Sequence, residues 1–271
     1  MIFLLLLLVV VGLCAGLFGS LVGLGGGIII VPILLFLGEK GVIPEVSPQL
    51  AVGTSLIVIV FTGLSSTIAN MKRKTTDYKS AFIFFLGSGP GAILGSHLNK
   101  GMNQDQFNLY FGIVMILISF LLMIRHKLKP LNATGGIRKT VVDEFGVSHT
   151  YGYRPITAIV LSFGVGVISS LFGIGGGALM MPVMLILFSF PPHVAVATSM
   201  FLIFLSSLTG SLSHIVLGHV KWLYTLALVP GAWYGAKLGS YLNAKMKANH
   251  VVTALRIVLI LIGVRLIIEG L

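Results

Sequence analysis

Eight apolar stretches decide what this chain can fold into: roughly 2–37, 50–71, 81–98, 107–124, 156–190, 194–217, 223–242 and 251–268. A helix that crosses a bilayer needs about 20 apolar residues. Six of the stretches carry no Asp, Glu, Lys or Arg; the last two hold only Lys237 and the pair Arg256 and Arg265. Only 9% of residues are charged, against about 25% in soluble domains, so no soluble surface could cover these runs. The expected class is an all-α polytopic membrane protein, with the lipid bilayer as its first partner.

The formal net charge of +11 would raise nucleic acid as a partner in a soluble chain. Here the excess gathers in two loops beside the spans. Such segments face the cytoplasm and anionic lipid, so no nucleic-acid partner is expected. Cys14 is the single cysteine and cannot close an internal disulfide. The apolar start has no basic flank and is too long for a signal peptide, so it reads as a retained span.

The first and fifth runs are each broken by glycines, at Gly23-Leu24-Gly25-Gly26-Gly27 and Gly173-Ile174-Gly175-Gly176-Gly177. Glycine costs a helix about 1 kcal/mol relative to alanine, so three in succession predict a break. The breaks expose a duplication. Shifted by 150 positions, residues 24–27 fall on 174–177 and Pro32 on Pro182; shifted by 144, residues 51–55 (Ala-Val-Gly-Thr-Ser) fall on 195–199 (Ala-Val-Ala-Thr-Ser). The same 144 shift sets Asn70 on His214, Gly87, Gly91 and Gly95 on Gly231, Gly235 and Gly239, and Asn99 on Asn243. The chain therefore divides into an N-terminal repeat (1–124), a cytoplasmic polar linker (125–155) and a C-terminal repeat (156–271).

Loop charge sets the topology. Lys72, Arg73, Lys74 and Lys79 make one basic loop and Arg125, Lys127, Lys129, Arg138, Lys139 and Arg154 enrich the linker, so both belong inside. If each broken run is a hairpin of two short helices, each half has five membrane segments and the second half is inverted. If each crosses once, the halves are 4+4 and parallel. The inverted 5+5 arrangement is favoured, because the first run as one helix would be about 54 Å long.

In an inverted repeat with interrupted helices, the substrate site lies near the midplane between the halves. A helix that starts inside the membrane directs unpaired N–H groups and its positive dipole end there, which suits a small anionic substrate. Gly25, Gly26, Gly27 and Gly175, Gly176, Gly177 precede two such helices. Thr54, Ser55, Thr198 and Ser199 are the hydroxyls expected to bond the oxyanion. All seven acids, Glu39, Glu45, Asp77, Asp105, Asp143, Glu144 and Glu269, fall in loops or at the chain end. No carboxylate is left in the spans for a cation, and no cofactor or metal is expected. Asn70, His214 and Lys237 are accessory or coupling candidates. The four-residue glycine spacings read as smooth faces for close helix approach.

Other chemistries lack their motifs. Residues 173–178 match a dinucleotide pattern superficially, without its strand-turn-helix setting, and there is no nucleophile elbow, zinc helix or P-loop. An intramembrane enzyme on a lipid or sulfur substrate, or the membrane component of a multisubunit transporter, are the rival readings. A homo-oligomer is left open.

The doubled pattern of Leu-Phe-Gly, Gly-x-Gly-Gly-Gly, Pro and Ala-Val-x-Thr-Ser resembles the TauE/SafE family of sulfite exporters and related anion permeases. The resemblance spans the chain apart from the linker. It implies a bacterial or archaeal cytoplasmic-membrane permease, acting as an exporter of sulfite, organosulfonates or related sulfur oxyanions. It also implies substrate contacts at the glycines and Thr-Ser pairs named above. Asn70 opposite His214, and the linker with Asp143 and Glu144, depart from a strict duplication.

Overall fold

A computed structural model describes residues 2–44, 46–71, 73, 75–124, 136–142, 148–245 and 249–271. Glu45, Lys72, Lys74, Arg125, Lys127, Lys129, Asp143, Glu144 and Lys247 lie outside them. Within the described residues the chain forms ten helices and one β-hairpin. The helices are α1 (Ile2–Val22), α2 (Gly27–Glu39), α3 (Pro48–Met71), α4 (Tyr78–Lys100) and α5 (Gln104–Ile124), then α6 (Pro155–Phe172), α7 (Gly177–Ile186), α8 (Pro192–Val216), α9 (Trp222–Lys245) and α10 (Asn249–Glu269). Six of them, α1, α3, α4, α5, α6 and α8, are long and apolar enough to cross a membrane.

Both long runs break where the glycines predict. Gly23, Gly25 and Gly26 take φ of 81°, 82° and 90°, and Gly173 and Gly175 take 69° and 85°, a region open to glycine and strained for other residues. The two helices at each break are unequal rather than both short. α1 has 21 residues and can span alone, whereas α2 has 13. Likewise α6 has 18 and α7 has 10.

Helix contacts recur in exchanged pairs. α9 lies along α1 and α4 along α6, through the predicted glycine stripes. A Cβ on Gly87, Gly91 or Gly95 would fall 2.1–2.3 Å from the carbonyl oxygens of Ile159, Phe163 and Val167. One on Gly231, Gly235 or Gly239 would fall 2.0–2.3 Å from those of Val9, Leu13 and Leu17, which are the residues 150 positions earlier. Only glycine permits such backbone contact, which replaces the missing hydrophobic drive between helices in lipid. α3 packs on α8 and α5 on α10. Both pairs run antiparallel. Gly53 lies beside His214 and Gly63 beside Met200 and Phe204, while Gly112 lies beside Gly263 and Leu109 beside Gly270.

The segment expected as a polar linker contains structure, and here the all-α reading is corrected. Strands β1 (Ile137–Val142) and β2 (Ser148–Tyr153) pair antiparallel, with Thr140 opposite Thr150. Alternation along β2 puts Tyr151 and Tyr153 on one face, and both are buried. They pack on Phe84, Phe188 and Phe190, and Gly152 N–H donates to Phe188 O (3.1 Å). Asp77 fastens the same face to the start of α4. It accepts from Lys139 Nζ (2.6 Å), Tyr151 OH (3.0 Å) and Ser80 Oγ (2.6 Å), and Tyr153 OH donates to Ser80 Oγ (2.7 Å). The two strands are thereby held against Asp77, at the end of the α3–α4 loop.

Candidate functional site

The two glycine breaks meet at the centre of the molecule. A Cβ on Gly25 would lie 3.1 Å from Ile203 Cδ1 and 3.3 Å from Ile59 Cγ2; one on Gly175 would lie 3.0 Å from Ile59 Cγ2 and 3.5 Å from Ile203 Cγ2. Ile59 and Ile203, equivalent under the 144 shift and both fully buried, thus touch both breaks. Gly27 sits against the opposite break itself, since its Cβ would fall 2.0 Å from Gly173 O. The starts of α2 and α7 converge on the same place.

The Thr-Ser pairs stand beside the breaks, with hydroxyls engaged across the molecule. Ser55 Oγ donates to Gly173 O (2.9 Å), and Ser199 Oγ donates to Gly23 O (3.1 Å). Each also reaches a carbonyl three residues back in its own helix, Val52 O (2.9 Å) and Val196 O (2.8 Å). Thr54 Oγ1 accepts from Lys221 N–H (3.1 Å) and Thr198 Oγ1 from Asp77 N–H (3.0 Å), so each threonine secures the loop that leads into α9 or α4. Asn99 Nδ2 donates to Leu171 O (2.8 Å) and Asn243 Nδ2 to Leu21 O (2.7 Å). These six side chains form three pairs equivalent under the 144 shift, and the members of each pair bond equivalent backbone groups.

The accessory candidates scatter. Asn70 Nδ2 is 3.4 Å from Ser66 Oγ, inside a buried hydroxyl group made by Ser20, Ser66 and Ser240. His214 is fully buried, with Nε2 3.3 Å from Ser170 O and Nδ1 3.3 Å from His219 Nδ1. Lys237 is exposed on α9, away from the breaks. Arg265 pairs with Glu39 (2.6 Å) and Glu269, over the Phe36 ring, at the edge of a cleft that Asp105 also lines.

Electrostatics outside the spans are set by Asp77. Burial alone would raise its carboxyl, but hydrogen bonds from Lys139, Ser80 and Tyr151 outweigh burial and hold it below the usual carboxylate value. Burial pushes the Tyr153 phenol up to about 12, and burial with the Asp77 charge raises Tyr151 further. Both phenols stay protonated donors at any physiological pH.

Sequence reasoning passed over the serines around the second break: Ser88, Ser169, Ser170, Ser206 and Ser207, all buried. A signal for them exists. Under the two shifts Ser88 falls on Ala232, Ser169 on Gly19 and Ser207 on Gly63, positions where the hydroxyl does not recur, whereas Ser206 falls on Thr62 and Ser170 on Ser20.

The chain is similar over its length to known membrane proteins. The family model for the sulfite exporter TauE/SafE matches residues 8–266. The chain is 58% identical over 266 residues, covering 97% of each protein, to the probable membrane transporter protein YunE of Bacillus subtilis. It is 28% identical over 262 residues, 90% of this chain and 88% of the relative, to the probable membrane transporter protein MJ0441 of the archaeon Methanocaldococcus jannaschii. A second Bacillus subtilis protein, the probable membrane transporter YjnA, is 25% identical over 266 residues, 96% of this chain and 98% of its own. No solved structure matches. Relatives over the full length are transporters rather than enzymes, and with the family match running through both glycine breaks and both Thr-Ser pairs, this multi-pass membrane protein belongs to the TauE/SafE sulfite exporter family.

Proposed function

We propose that the chain is a secondary transporter of the cytoplasmic membrane, exporting sulfite, an organosulfonate or a related small sulfur oxyanion by alternating access. Its two halves are inverted repeats of five membrane segments that rock about the glycine breaks. The observation that carries the reading is the convergence of two helix starts, α2 and α7, on Ile59 and Ile203. An anion at such a helix start would meet free amide donors and a positive dipole end, which offset the cost of stripping its water. Inversion is supported by the antiparallel runs of α3 with α8 and α5 with α10, since repeats of parallel orientation would set equivalent helices parallel. Cation coordination is disfavoured, because Glu39, Asp77, Asp105 and Glu269 all stand at helix ends.

The test is a panel of sulfite, sulfate, thiosulfate, methanesulfonate and acetate added to the purified protein during thermal unfolding. A ligand of the native state raises the midpoint, and the rise grows with the logarithm of its concentration over its Kd. Sulfite or methanesulfonate should stabilise and acetate should not. Equal response to all five, or to none, contradicts the assignment.

A further inference from the structure

The two breaks are unequally finished, and the difference assigns the seat of the anion. A buried hydroxyl without a partner has lost its hydration with nothing in exchange, so native structures seldom keep one without reason. Around the second break four such oxygens remain: Ser88 Oγ, Ser169 Oγ, Ser170 Oγ and Ser207 Oγ. Two of these residues border the first turn of α7. Ser207 Oγ, on a residue 1% exposed, stands 3.2 Å from where a Cβ on Gly175 would be. Ser206 Oγ stands 2.3 Å from such a point on Gly176, and the Ser88 side chain, from α4, lies 3.9 Å from it. Among the described residues Ser206 Oγ donates only to Ile203 O, at a long 3.4 Å.

Among the described residues, the positions at the first break equivalent to Ser207, Ser206 and Ser88 hold no unpartnered hydroxyl. Gly63 and Ala232 stand where Ser207 and Ser88 would be, and Thr62 gives its hydroxyl to Val58 O (3.0 Å). Gly25 N–H donates to Gly19 O (3.2 Å), whereas Gly175 N–H has no such partner among the described residues. The caps also differ. Gly26 takes φ 90°, while Gly176 is right-handed at φ −54°, so its turn needs no glycine for backbone reasons. What glycine supplies at 176 is space in front of the serines.

We infer that the oxyanion is held at one break only, the N-terminus of α7, by the amides of residues 175–177 and the hydroxyls of Ser207, Ser206 and Ser88, with the first break as its structural counterpart. This rests on the transporter reading above. Three neutral hydroxyl donors and a helix start fit an –SO3 group, the chemistry that sulfite and sulfonates share. Ile59 and Ile203 fill the intervening space, so the anion enters as they move aside.

The experiment measures sulfite and methanesulfonate affinity of the full-length protein by calorimetric titration, with thermal unfolding of each variant in the absence of anion. Ser207→Ala and Ser88→Ala should each weaken the binding of whichever anion the unmodified protein takes by about tenfold or more. Their anion-free unfolding midpoints should stay level or rise, because the lost hydroxyl has no partner to leave behind. Thr62→Val, in the first half, should leave affinity unchanged. Undiminished affinity in both serine variants overturns the assignment and leaves the transporter reading standing, as does an equal loss in Thr62→Val. A fall in affinity that tracks a fall in anion-free stability also overturns it. Failure of the unmodified protein to bind either anion removes both.

Discussion

Two hydroxyl clusters occupy places that are equivalent under the 150 and 144 shifts and differ in how they are completed. In the first, Ser20, Ser66 and Ser240 close a triangle with edges of 2.7–2.9 Å, Asn70 joins Ser66, and Arg73 donates to Ser240 O (2.8 Å). In the second, Ser170 and Ser96 repeat two corners, but Gly210 replaces Ser66 and His214 replaces Asn70. Ser96 Oγ turns to Ile93 O of its own helix (2.7 Å) and Ser170 Oγ is left without a partner. One cluster has closed its hydroxyls on each other, and the other has left the Ser170 hydroxyl without a partner.

The largest expected effect contrasts the breaks. Gly26→Ala sets a side chain at φ 90° and a methyl 2.6 Å from Ala15 O, a backbone atom that cannot yield. We expect a loss of about 3 kcal/mol, read as a lowered unfolding midpoint in detergent. Gly176→Ala has no backbone strain, but its methyl would fall 2.3 Å from Ser206 Oγ and 2.8 Å from Ser206 Cβ, which no rotation clears, so about 2 kcal/mol is expected. Equal losses would erase the distinction.

Where the halves are alike, the effects should be too. Asn99→Ala and Asn243→Ala each orphan one carbonyl, Leu171 O or Leu21 O, and each should cost about 1–2 kcal/mol. Values differing by more than about 1 kcal/mol would show that the halves are not mechanically equivalent even there. Next, Ser240→Ala opens the closed triangle and should cost about 1 kcal/mol, against about 0.5 or less for Ser96→Ala, which removes a bond within one helix turn.

The smallest effect concerns pH. The Asp77 carboxyl is held below its ordinary value of 3.8 in the folded protein, so its contribution to hairpin docking is complete above that value and is lost as pH falls through the lower, folded one. Protease sensitivity of the hairpin should therefore be flat from about pH 8 to about pH 5. Asp77→Asn should raise it at every pH, by removing the charge that Lys139 meets at 2.6 Å. A wild-type hairpin that loosens near pH 6 would point to a different anchor.

Much of the fold was legible because it rests on local rules and on repetition. Three glycines in an apolar run forecast the breaks, and glycines four apart forecast the close faces of α4 and α9. The hairpin was not legible. Its two strands are short, polar on one face, and held by Phe84, Phe188 and Phe190, which lie far away in sequence. The Thr-Ser pairs stood out by recurring, but their partners, such as Gly173 O and Lys221 N–H, are backbone groups of the other half that carry no side-chain signature. The serines around α7 were hidden for the opposite reason. A search for what the halves share discards the positions where they differ.

Counterflow in sealed vesicles tests the central claim most directly. Purified protein reconstituted alone, with unlabelled sulfite inside, should draw in labelled sulfite above protein-free vesicles and without added nucleotide. Vesicles that take up no sulfur oxyanion beyond the protein-free rate would contradict a self-sufficient carrier built around the paired glycine breaks.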